Sequence, residues 1–109
     1  MAAINPAGWV VTATATAAVA TATQAAPSGG NKTHILYGVD WGFSATPAAP
    51  VLLQIKDGST VIWSTYVLAG DRRVFERGIA VTLGNAVSAV LASGGGSVVG
   101  YVNIDGVTI

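Results

Sequence analysis

The chain has 109 residues, no cysteine and a formal net charge of zero, and only 9% of its residues are charged, against about 25% in ordinary soluble proteins. That length suits one domain with one core. The charge balance excludes a global electrostatic case for nucleic acid or an anionic membrane, and the missing cysteines exclude disulfides and thiolate metal sites.

The placement of the charges says more than their number. Residues 1–31 and Gly78–Ile104 carry none, which is more than half of the chain. A soluble monomer usually spreads charge over its surface to keep its neighbours apart. Large neutral areas therefore point to surface that faces other protein subunits. The alternative is a Thr, Ser, Gly and Ala surface that tolerates water without charge.

Residues 1–9, "MAAINPAGW", form a candidate N-terminal arm with Trp9 as an apolar anchor, and residues 10–109 form a single domain. Trp9 either reaches a neighbouring subunit or folds back and plugs one end of its own domain. From Val10 to Ala26 the tract is Val, Ala and Thr, relieved only by Gln24. It is too weakly apolar for a membrane span and has no basic flank for a secretory signal. Alanine favours helix, but Thr12, Thr14 and Thr16 recur every second residue, as do Thr21 and Thr23. A period of two gathers them on one face of a strand and scatters them around a helix. The change from even to odd positions requires a bulge or break near Ala17–Ala18, so the expectation is a kinked or double strand. Pro27 and Ser28–Gly30 end it.

From His34 to Phe43, Ile35, Tyr37, Val39, Trp41 and Phe43 take the odd positions, which predicts a strand with its aromatics turned to the core. Pro47 and Pro50 bracket a loop. Val51–Lys56 alternates again, and Asp57–Gly58 signals a hairpin. The return strand, Val61–Leu68, is apolar on both sides and predicts cover on its second face as well. Gly70–Asp71 reads as a turn leading into the charged segment "DRRVFERG". Ile79–Leu83 and Ala86–Ala92 read as strands about Gly84–Asn85, the second with a short helix as its alternative. "SGGGS" is a loop, and Val98–Ile104 is a final strand with Gly106 bending its end. Seven or eight short strands with turns at this spacing make an all-β fold, an antiparallel β-sandwich or jelly roll.

Chemistry is sparse. His34 is the lone histidine, expected at a surface or edge. It lies about 20 Å along an extended strand from Asp40, too far for a dyad. The acids Asp40, Asp57, Asp71, Glu76 and Asp105 show no paired-carboxylate or calcium-loop spacing. Asp57 is explained by its turn. Gly94–Gly96 precedes a strand rather than the helix a phosphate loop needs. The Asn31–Lys32–Thr33 sequon is of a kind that arises by chance. The residues point to no catalytic group, no cofactor and no metal, and hence to no enzyme. The dense charges Arg72, Arg73, Glu76 and Arg77, together with Trp9, are the candidate assembly interface. The cluster's alternative is a solvated loop whose charges neutralise one another.

An Ala/Thr-rich first strand, "HILYGVDWGFSATPAAP", the "LLQIKDGSTVIWS" hairpin and "GIAVTLGNAVSAVLASGGGSVVGYVNIDGVTI" follow one another in an order that resembles small tailed-phage virion proteins. These are β-sandwich capsid decoration (cement) proteins and head-fibre or tail modules. The resemblance implies a homo-oligomer, a trimer for instance, that binds major capsid protein or other virion proteins on the outside of a phage head and acts mechanically. It implies a virion location, with synthesis in the host cytoplasm, and no direct contact with nucleic acid or membrane. Its alternative is a receptor- or glycan-binding module of a fibre, using aromatics such as Trp41 or Trp63.

Overall fold

A computed structural model describes residues 8–109. It contains eight strands: β1 (Gly8–Thr16), β2 (Ala20–Gln24), β3 (His34–Phe43), β4 (Val51–Asp57), β5 (Thr60–Val67), β6 (Asp71–Ala80), β7 (Val87–Leu91) and β8 (Val99–Thr108). Two four-stranded antiparallel sheets pack face to face, one in the order β1-β8-β3-β6 and the other β2-β7-β4-β5. Every connection except the β4–β5 hairpin crosses between sheets, the interleaved double Greek key of a jelly roll. The whole measures 42 × 35 × 22 Å. No described helix is long and apolar enough to cross a membrane.

The Thr/Ala tract is a double strand, as its phase change requires. In β1 the even threonines face out and the odd residues in; in β2 Ala20 and Ala22 are buried while Thr21 and Thr23 are exposed. The break falls at Ala17, whose φ of 53° is left-handed and whose N–H donates to Val98 O at 2.9 Å. Such a backbone is costly for a residue with a Cβ. It lets the chain leave one sheet and start the edge of the other. Gly8 and Trp9 belong to β1, and the rest of the expected arm, residues 1–7, lies outside the described residues.

The core is aliphatic. Leu36, Val39, Leu53, Ile55, Val87, Ala89, Leu91, Val102 and Ile104 are fully buried between the sheets. The hairpin appears where Asp57–Gly58 placed it: Asp57 pairs with Thr60, and Gly58 takes φ 59° at the first of two loop positions. Ala86–Ala92 resolves as the strand β7.

Several expectations need correction. The inward face of β3 is not the odd set throughout. Tyr37 is a bulge: Leu36 pairs with Gly106 and Gly38 with Asp105, so one residue of β3 has no partner on β8. The facing flips there, so His34 and Leu36 point in before the bulge and Val39 and Trp41 after it, while Tyr37 is exposed. His34 is accordingly buried, not at a surface or edge. "DRRVFERG" is neither turn nor loop but most of β6, an edge strand on which charges are stable because its outer side meets water. Of Ile79–Leu83 only Ile79 and Ala80 extend that strand. The second face of β5 is open, leaving Ile62 and Tyr66 exposed. Gly106 does not bend the end of β8; it continues the strand opposite Trp9.

Candidate functional site

Three side-chain clusters stand out, at one end of the sandwich, on an outer face and along an open edge. At the end, Trp9 faces inward across Gly106, where an added Cβ would overlap Ile35 O and press on the indole. Its ring meets His34 edge-on, with centroids 5.6 Å apart. Ala25 O can only accept, so His34 Nε2 donates to it at 2.6 Å. In the neutral ring Nδ1 then accepts from Thr108 Oγ1 at 2.7 Å, and that oxygen accepts the Trp9 indole N–H at 3.1 Å. Trp9 thus packs on its own domain at one end of the sandwich.

On the outer face of the first sheet, Arg72, Asp40 and Asn103 lie in one cross-strand row over β6, β3 and β8. Arg72 holds Asp40 at 3.3 Å and Asp105 at 2.9 Å, and Asn103 donates to the other Asp40 oxygen at 2.8 Å. Arg72 is thus neutralised within the domain. A separate carboxylate, Asp57, accepts from the Asn85 side chain at 2.8 Å and from the Thr82 hydroxyl and N–H at 2.7 and 2.9 Å. These bonds, Asn85 first, hold it below the usual aspartate value. They fasten the β4–β5 hairpin to the β6–β7 loop, a structural task. Among the described residues no three His, Cys, Asp or Glu side chains converge as a metal site needs.

The open edge is where β5 of one sheet lies beside β6 of the other. Trp63 of β5 and Phe75 of β6 close it from within, ring edge to face, centroids 5.5 Å apart at 85°. Beyond that pair opens a cleft of about 420 Å³, lined by Trp63, Thr65, Leu68, Asp71 and Arg73 among others. Trp41 forms its buried floor, its indole N–H donating to Ala69 O at 2.9 Å. Arg73 lies over the Phe75 ring, 5.8 Å from its centroid, and has no ion pair among the described residues. Asp71 accepts the Arg72 N–H at 2.8 Å.

The five sequence-named residues are therefore dispersed. Trp9 sits at the far end, Arg72 on the outer face and Arg73 at the cleft, while Glu76 and Arg77 are exposed on β6 with no ion pair among the described residues. Sequence reasoning named Trp63 only as a possible platform and missed its pairing with Phe75, because nothing in the spacing of residues 63 and 75 says that two edges meet.

No family model and no curated protein matches the sequence. Solved structures do match. A chain in the acidic stable capsid structure of Helicobacter pylori bacteriophage KHP30 superposes with a TM-score of 0.55 at 10% identity, over 97% of this chain and 94% of that one. The likeness is one of fold. The insecticidal delta-endotoxin Cry8Ea1 of Bacillus thuringiensis matches at a TM-score of 0.48 and 11% identity, over 82% of this chain and 18% of that one. The carbohydrate-binding module CBM36, solved with calcium and xylotriose, matches at 0.39 and 21% identity, over 86% of this chain and 76% of that one.

Proposed function

We propose that the protein is a structural component of a phage virion, a decoration protein that binds and reinforces the outer surface of the head as a homo-oligomer. One observation carries this reading: the jelly roll matches a chain of a phage capsid structure from end to end in both chains, so that protein too is a domain of about this size. The charge distribution supports it. The edge strands β1 and β2, one from each sheet, meet along one side of the sandwich, and their outward residues Val10, Thr12, Thr14, Thr16, Thr21 and Thr23 are all exposed and uncharged. A flat domain with a neutral side can bury moderate area against copies of itself or against capsomers without desolvating ions. Its action is then mechanical, through many modest contacts across shell junctions and no chemical step.

Light scattering tests the oligomer. The wild-type chain is expected at a discrete multiple of 10.9 kDa, and Thr14→Lys, a charge placed on the exposed side of edge strand β1, is expected to reduce that mass without unfolding the domain. A wild-type monomer at high concentration would remove the assembly reading. The other reading, a receptor- or glycan-binding module, is favoured by the aromatic cleft between β5 and β6.

A further inference from the structure

We infer that the cleft between β5 and β6 is a binding site for a neutral saccharide of one or two rings. Its volume of about 420 Å³ lies within the range of small-ligand sites, roughly 300–1,000 Å³. The wall is Trp63, half-buried, whose indole N–H makes no hydrogen bond among the described residues. An indole braced by its T-shaped contact with Phe75 and lining the cleft offers a rigid apolar surface and a free donor, which suits the C–H face of a pyranose and its ring substituents.

The polar groups narrow the class. Asp71 and Arg73, both exposed, stand on the same inward-facing register of β6 and both line the cleft. A carboxylate accepts and a guanidinium donates, so together they match hydroxyls, each of which does both. Their charges cancel, and Arg72 at the rim is already held by Asp40 and Asp105. An anion would meet Asp71 and a cation would meet Arg73, so an uncharged polyhydroxyl ligand fits best. The Thr65 hydroxyl, also without a partner among the described residues, adds a further donor and acceptor. The inference does not depend on where in a virion the protein sits.

Amide and indole NMR signals of the full chain, followed during titration with maltotriose, cellotriose and tri-N-acetylchitotriose, test it. Sialyllactose serves as the anionic probe and hexaglutamate as the acidic-peptide probe. At least one neutral trisaccharide is expected to shift the Trp63 indole and Arg73 amide signals saturably. Arg73→Gln and Asp71→Asn, both at exposed positions that leave the core intact, are each expected to weaken that binding about tenfold. Three results would overturn the inference: no shift from any neutral trisaccharide at about 10 mM, binding indifferent to both substitutions, or preference for sialyllactose or hexaglutamate.

Discussion

Arg72 on β6 reaches Asp105 on β8, 2.9 Å away, by lying across β3 at Gly38, the one residue between them with no side chain. A Cβ at Gly38 would overlap the guanidinium, which sits at the end of a flexible side chain and can move. Arg72 is 45% exposed, and exposed ion pairs contribute about 0–1 kcal/mol. Gly38→Ala and Arg72→Ala should therefore each cost less than about 1 kcal/mol in urea denaturation. Gly106→Ala is different, because its Cβ would strike the Ile35 backbone carbonyl. That substitution should cost roughly 2–4 kcal/mol, in the range of core overpacking and backbone strain. Equal costs at the two glycines would refute this distinction.

Trp41→Ala should destabilise the domain by roughly 3–5 kcal/mol, the range for deleting a buried aromatic ring. The ring is 7% exposed and its N–H is bonded to Ala69 O. Trp63→Ala, which empties a half-buried position, should cost clearly less. Guanidinium denaturation of both variants checks the order.

Thr108→Val should cost about 1–3 kcal/mol, the penalty for buried polar groups left without partners. The substitution keeps the shape of the side chain but removes the oxygen that serves both the Trp9 indole N–H and His34 Nδ1. A near-neutral Thr108→Val would mean that water or another group satisfies both atoms.

Asp57 links stability to pH. Hydrogen bonds from Asn85 and then Thr82 depress its folded-state value, so its ionised form stabilises the fold. That contribution is complete above the unfolded-state value of about 3.9 and fades as pH falls through the lower folded value. Asp57→Asn should thus lose stability at neutral pH, no more than about 1 kcal/mol because the carboxylate is screened by solvent, and the gap to wild type should narrow as the carboxyl protonates in both states. Urea midpoints from neutral pH down to about pH 2 measure it. A gap that widens on acidification would contradict the assignment.

How far the sequence discloses this protein depends on whether one strand or two determine the feature. The split of the Thr/Ala tract was legible because the phase of Thr12–Thr16 and Thr21–Thr23 records facing residue by residue. The hairpin at Asp57–Gly58 is equally local. The bulge at Tyr37 was not legible, because His34–Phe43 is apolar enough on both sides that alternation runs smoothly through it; only the pairing to β8 shows the extra residue. The charges of β6 hide its strand character, because edge strands tolerate charge and an edge position is a property of the sheet. Open cover on β5 and the buried role of His34 failed for the same reason. The cleft was the least legible feature, since it is made by two edges from different sheets.

Co-sedimentation with empty phage capsids stripped of decoration tests the central claim most directly. The account predicts that the oligomer pellets with them saturably, at a fixed ratio to the shell subunits, and that Thr14→Lys abolishes it. Protein that stays in the supernatant, or pellets without saturation and regardless of Thr14→Lys, would contradict the claim.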